Sequence, residues 1–215
     1  MTDENPNRSG SPTKEELSQR LKDTTENGLV ITPLIFPEEQ IKHASIDIRL
    51  GNEFIISKRI LFDTIDPIKE YNEHGARIKQ YQEKIYVELG QKIILHPHQL
   101  ILGSTLEHVK LPQDLLAYVV GRSSWGRLGL VIATATVVHP RYSGAITLEL
   151  SNIGDVPITL YPGSRIAQLV FHRVNESELE LEESKYELSV GPEFSKIYKD
   201  PEWSAFESLQ KKTNP

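Results

Sequence analysis

The sequence predicts a mainly β protein, an antiparallel barrel or sandwich, from three observations. Short segments rich in Ile, Val and Leu recur between residues 45 and 172. Gly, Pro, Asn or Asp punctuates most of the gaps between them, at spacings that suit short antiparallel strands. No stretch between them supplies the long helical crossovers that parallel strands of an α/β fold require.

The elements follow in order. Residues 1–12 are polar and rich in Asn, Ser, Pro and Gly, a composition expected to be disordered. A short helix is expected from about Thr13 to Thr25. Thr13 can cap it, Glu16 sits three residues later as in a capping box, and Leu17 and Leu21 share one face. Gly28 lies just beyond its end. Ser45 to Leu50 alternates polar and apolar, and Glu53 to Ile56 follows after Gly51, so both read as strands. Residues 66–83 are charged and irregular, expected as a loop or lid with one helical turn. Further strands are expected at 84–88, 92–95, 100–106, 116–120, 130–133, 145–150, 158–160 and 166–172. Residues 175–183 are acidic, and the remainder reads as an irregular C-terminal tail with little core character.

Composition narrows the function classes. Hydrophobic residues make up 38% and charged residues 25% of the 215, which suits one globular domain with appendages. No apolar run approaches the ~18 residues of a membrane span, and no signal peptide is read at the N-terminus. With no cysteine, disulfides and thiolate ligands are excluded, and a cytoplasmic protein is expected. A net charge of −6 disfavours nucleic acid as a partner, since duplex binders present a basic face. Residues 121–173 nevertheless hold five arginines and two acids, a local +3 that leaves −9 for the rest. A small cationic region in an acidic protein fits a small anionic ligand.

Two stretches could carry chemistry. Gly121 to Leu130 packs Arg122, Ser123, Ser124 and Arg127 among glycines. Glycine lets backbone N–H groups point at an anion, serines add hydroxyl donors, and arginine offers a planar fork for phosphate oxygens. A polar turn with a solvated arginine is the bland alternative. The second stretch runs from His139 to Leu150. From Ala145 it reads as a strand with Ala145, Thr147 and Glu149 on one face, and with Ile146, Leu148 and Leu150 facing the core. Glu149 is then either an edge residue in water or a functional acid tuned by its surroundings. The His96–Pro97–His98 pair reads as a turn rather than a metal site.

Gly121–Leu130, Thr134–Ala135, Tyr142–Gly144, Leu148–Glu149 and Gly163–Leu169 resemble, in order and spacing, the deoxycytidine triphosphate (dCTP) deaminases. That family shares a superfamily with the trimeric deoxyuridine triphosphatases. Ser45 to Gly51 resembles the family's N-terminal strand motif, and the likeness runs from about Thr13 to Ile197. The resemblance implies a distorted jelly-roll β-barrel over residues 13–174, with residues 175–215 contributing to or closing over the site. It also implies homotrimers, or hexamers, with active sites between subunits.

What the resemblance implies for chemistry is metal-independent hydrolytic deamination of dCTP to dUTP and ammonia. The zinc route of other nucleobase deaminases needs His and Cys ligands in a pattern this sequence lacks. Glu149 is the implied proton carrier, with the Ser123 hydroxyl and the Ala135 carbonyl fixing the water and Arg127 beside the acid. Arg127 as a structural ion-pair partner is compatible with that role. Arg122, Ser123, Ser124 and Gln168 are implied phosphate contacts, and Thr147 and Leu148, beside the acid on its strand, are implied substrate contacts. Tyr142 holds the place of an aromatic residue that packs on the sugar, or else is a core or interface tyrosine. Lys185 and Tyr186 match a nucleotide-contacting pair in the tail, and magnesium is expected with the triphosphate.

The sequence departs from the family's pattern at three points. His139 stands where many members have an aspartate that contacts the sugar 3′-hydroxyl, Ser189 replaces an expected tail glutamine, and an upstream tail tyrosine has no match. Competing readings are a bifunctional enzyme that goes on to dUMP, a pure triphosphatase, and a nucleotide-binding protein without turnover.

Overall fold

The computed structural model describes residues 10–58, 64–134, 137–174 and 185–213. The fold is mainly β, as expected. Helix α1 (Lys14–Arg20) starts where the sequence places it, with the Thr13 side chain accepting from Glu16 N at 3.3 Å. It ends earlier than expected, because only Leu17 among its residues is buried and no second apolar turn extends it. Strand β1 (Val30–Thr32), the single turn α2 (Pro37–Gln40), β2 (Ser45–Arg49) and β3 (Glu53–Ser57) follow.

Residues 66–83 correct the loop expectation. They form two short helices, α3 (Pro67–Asn72) and α4 (Ala76–Tyr81). Asp66 caps α3, accepting from Ile68 N at 3.0 Å and Lys69 N at 3.4 Å, and Pro67 occupies the first helical position, where its missing N–H costs nothing. Then come β4 (Gln82–Tyr86), β5 (Ile93–Leu95), β6 (Leu100–Lys110), β7 (Leu115–Gly121), the turn α5 (Ser123–Gly126), β8 (Leu130–Ile132) and β9 (Val137–Val138). Strands β10 (Ser143–Asn152), β11 (Ile158–Leu160) and β12 (Arg165–Arg173) complete the sheets.

The C-terminal segment is also more regular than the sequence suggested. A 3-10 turn at Ile197–Lys199 leads into α6 (Glu202–Thr213), and both pack on α3. The Trp203 indole donates to Ile197 O at 2.9 Å and its ring meets Phe206 at 5.8 Å, so α6 gains the tertiary support that a short helix needs. None of the helices among the described residues is long and apolar enough to cross a membrane.

All described strand pairs are antiparallel. They form a six-stranded sheet in the order β4-β3-β6-β10-β8 with β1 also on β6, a four-stranded sheet in the order β2-β12-β7-β9, and a β11-β5 pair. Among the described residues these pairings do not close into one cylinder. The two larger sheets meet at the Leu50–Thr105 bridge and bury Phe54, Leu50, Leu148, Leu150, Leu169 and Phe171 at full depth. Burying side chains of this size drives the sheets together.

Candidate active site

The alternation of β10 positions the carboxylate. Leu148 and Leu150 are fully buried and Ile146 nearly so, which turns Thr147 and Glu149 to the other face. Glu149 is fixed by its backbone: its N–H donates to Thr134 Oγ1 at 2.9 Å and its carbonyl accepts from Ala133 N at 2.9 Å. The Thr134 hydroxyl in turn donates to Thr147 O at 3.4 Å. The half-buried carboxylate has its pKa raised above the ordinary 4.5 by desolvation. No ion-pair partner meets it among the described residues.

Glu149 lines a cavity of about 620 Å³ together with Thr134, His139, Tyr142, Thr147, Lys185 and Tyr186. That volume lies within the range of small-molecule sites. Seven residues named from the sequence thus meet in one place. Tyr142 donates its hydroxyl to Ala145 O at 2.9 Å; burial, with Glu187 and Glu193 close by, pushes its pKa up to about 12. It is therefore a neutral aromatic wall. His139 stands exposed at the rim. Leu148 is in the core and does not line the cavity. Ala135 lies outside the described residues.

The far wall comes from the tail. Ala145 N donates to Ser189 O at 2.6 Å and Leu188 N to Ser143 O at 2.7 Å, so residues 188–189 pair with the start of β10. Glu193 N donates to Thr147 Oγ1 at 3.1 Å. Gly144, at φ 153°, permits this approach: a β-carbon there would stand 3.0 Å from Ser189 N and 3.1 Å from the Tyr142 hydroxyl. Ser189 is accordingly a docking residue, 5% exposed, with its hydroxyl donating to Tyr186 O at 2.8 Å. Lys185 pairs with Asp200, and the Lys185 and Lys196 ammonium groups stand 5.9 Å and 5.1 Å from the Tyr186 ring centre, within cation–π range.

The sequence missed Tyr81, Gln82, Glu187 and Glu193 as cavity residues. Gln82 also has its Oε1 buried without a hydrogen-bond partner. The Asp66–Pro67 dipeptide signals the helices that bring Tyr81 and Gln82 in, but the tail's pairing with β10 has no local signature.

The cationic residues form a separate group. Ser123, Ser124 and Arg127 are exposed on the turn after β7, and none of them lines the cavity. Arg122 N donates to Ile166 O at 3.2 Å, tying the turn to β12. Gln168 pairs with Val120 on one side and Asp47 on the other, so it shares a sheet face with Arg122. The Gln168 Oε1 accepts from the Ser45 hydroxyl at 3.1 Å. Within one chain the Glu149 cavity is therefore built without these residues.

Glu107 is a second perturbed carboxylate, fully buried on β6. Its oxygens accept from Arg49 N at 2.8 Å and Gln40 Nε2 at 3.1 Å. Burial still pushes its pKa up to about 7, against the hydrogen bonds that lower it.

Comparison with known proteins places this arrangement. The chain is 44% identical over 183 residues to a dCTP deaminase of Natronomonas pharaonis, covering 83% of this chain and 91% of that protein. It is 42% identical over 188 residues to a dUMP-forming dCTP deaminase of Methanobrevibacter smithii, covering 85% and 94% respectively. The solved 2′-deoxycytidine 5′-triphosphate deaminase of Agrobacterium tumefaciens superposes with a TM-score of 0.58 at 22% identity. That match covers 79% of this chain and only 51% of the solved one, and it is a likeness of fold. A family model described as dCTP deaminase-like matches residues 13–174. The β10 acid in its cavity and the Arg-Ser-Ser turn both lie inside that match, and the chain belongs to the dCTP deaminase-like family.

Proposed function

We propose that the protein removes the amino group of dCTP by hydrolysis, with Glu149 carrying the protons. The observation that carries this reading is a half-buried acid, raised by desolvation and unpaired among the described residues, on the wall of a nucleotide-sized cavity. Such an acid exchanges protons near neutral pH more readily than a solvated one. The relatives' names support the substrate.

The steps balance without an added oxidant or reductant. Glu149 takes a proton from water as the hydroxide adds to C4 of cytosine, and passes it to N3. The carboxylate then takes the C4 hydroxyl proton and delivers it to the amine, which leaves as ammonia as the C4–N bond breaks and the C4 carbonyl forms, giving dUTP. Ser123, Arg127 and the Ala135 carbonyl are the groups we assign to holding the water and the acid. Arg122, Ser124 and Gln168 take the phosphates, Tyr142 packs on the sugar, His139 meets its edge, and Lys185 and Tyr186 close from the tail. Residues of this kind suit phosphate oxygens rather than a cation, so magnesium would arrive held by the triphosphate.

The separation of acid and cradle in one chain favours a homotrimer, or a hexamer, in which one copy's Arg122–Arg127 turn completes another copy's Glu149 cavity. The sheets are then parts of the family's distorted jelly roll. A second product is favoured by the dUMP-forming relatives: dUTP is hydrolysed onward to dUMP and pyrophosphate. Incubation with dCTP, CTP and dUTP plus magnesium, with ammonia and nucleotide products resolved, tests the reading. Ammonia from dCTP is expected; tight nucleotide binding without any product would overturn it. dUMP with pyrophosphate marks the bifunctional form.

A further inference from the structure

Strand β2 carries a residue that the chemistry above does not use. Asp47 is 3% exposed, and a carboxylate that deep persists only when paired. Its Oδ2 is shared by two cations, Arg122 Nε at 3.6 Å and Arg165 Nη1 at 3.5 Å. The two arginines are not equally engaged. Arg165 is also held by Glu39, through its carboxylate at 3.1 Å and its carbonyl at 3.2 Å. Arg122 gives Asp47 only a long contact through Nε and donates Nη1 to Arg165 O at 3.2 Å. Its side chain stays 31% exposed, and no described residue takes its Nη2.

A lone arginine facing a buried carboxylate would close into a two-point fork and be lost to any other anion. Here Arg165 shares the charge of Asp47, so Arg122 is oriented without being fully satisfied. The frame beneath is rigid: Gln40 Nε2 donates to Asp47 O at 2.9 Å and to Glu107 Oε1 at 3.1 Å.

We propose that Asp47 is a positioning residue that holds Arg122 in the orientation that receives the nucleotide's polyphosphate, with Arg165 as the counter-cation that keeps Arg122 available. The inference rests on the reading that the Arg122 turn binds the polyphosphate. Asp47 itself touches no substrate atom.

The test compares the full-length wild type with Asp47→Asn, using titration calorimetry with inorganic tripolyphosphate and with deoxycytidine, and steady-state kinetics with dCTP. In Asp47→Asn the tripolyphosphate Kd and the dCTP KM are expected to rise about tenfold, the loss of one well-aligned charge-assisted contact. Deoxycytidine affinity and kcat should stay at wild-type values. Equal losses for tripolyphosphate and deoxycytidine would reveal a general structural role and overturn the inference, as would unchanged tripolyphosphate binding. If Asp47→Asn does not fold, Arg165→Gln leaves Arg122 alone with Asp47 and should weaken tripolyphosphate in the same selective way; wild-type affinity there overturns it too. A wild-type protein that binds deoxycytidine but no tripolyphosphate would instead sink the polyphosphate reading itself, and this inference with it.

Discussion

On β10, Glu149 stands in a cavity walled by sheet, helix and tail, whereas Ser123, Ser124 and Arg127 lie exposed on the turn after β7. Each half has a desolvated carboxylate near it, and the two are raised for the same reason. Their surroundings differ. Glu149 opens onto a cavity, and no described cation pairs with it. Glu107 is fully buried, and its oxygens accept hydrogen bonds from the backbone that carries Asp47 and from Gln40. A perturbed acid is a candidate for chemistry when something can reach it; otherwise it is part of the frame.

The largest expected effect breaks the comparison at the cavity. Glu149→Gln keeps the shape and removes the proposed proton carrier, so ammonia release from dCTP should fall by about a thousandfold or more. Nucleotide binding should persist. Because desolvation raises the Glu149 pKa and the ionised form accepts the proton from water, activity should fall on acidification at a higher pH than a solvated glutamate would give. A pH–rate profile whose acid limb sits at an ordinary carboxylate value would contradict this.

Mixing addresses the gap between the halves. Glu149→Gln and Arg127→Ala are each expected to be nearly inactive alone. If sites form between subunits as proposed, refolding or exchanging them together should create some interfaces that pair an intact Glu149 with an intact Arg127, and ammonia release should return to a fraction of wild type. No recovery despite proven subunit exchange would mean that each chain completes its own site.

Glu107 supplies a pH lever under the cationic half. Its folded-state pKa, about 7, lies above the ordinary 4.5, so the folded protein binds that proton more tightly than the unfolded chain. The stabilising contribution is complete below about pH 4.5 and is lost as the pH rises through about 7, a change of about 3 kcal/mol. Glu107→Gln cannot titrate. Urea unfolding at pH 5 and pH 8 should show a pH difference smaller by about 2 kcal/mol in the variant, most of that change, and an unchanged difference would refute the assignment.

How far the sequence foretold all this depends on the range of the interactions. The alternation through Ile146, Leu148 and Leu150 was legible, and with it the cavity-facing Glu149, because a strand's period is set locally. The Thr13 cap was legible for the same reason. Apart from the Asp66–Pro67 start of α3, helices α3, α4 and α6 were not, since their apolar residues are sparse and their support comes from packing on one another. The role of Asp47 was hidden in an ion-pair set that joins residues 39, 47, 122 and 165. The resemblance supplied the grouping of Glu149 with Arg127, which does not line the Glu149 cavity within one chain.

The smallest expected effect sharpens the comparison most, because it touches one half alone. Gly144 lets the tail lie against β10: a β-carbon there would meet Ser189 N at 3.0 Å, the Tyr142 hydroxyl at 3.1 Å and Ser189 O at 3.2 Å. Two of the three are backbone atoms of the segment whose hydrogen bonds hold the far wall. Gly144→Ala must therefore push that wall outward by a few tenths of an ångström, at a cost of about 1–2 kcal/mol. The β10 core residues beneath are not displaced, so the fold should survive. Amide exchange of residues 188–189 should speed up, and deoxycytidine affinity should drop several-fold, while tripolyphosphate affinity, which we assign to the Arg122 turn, should not change. If both ligands weaken together, the tail supports the cradle as well as the cavity, and the two halves are mechanically one.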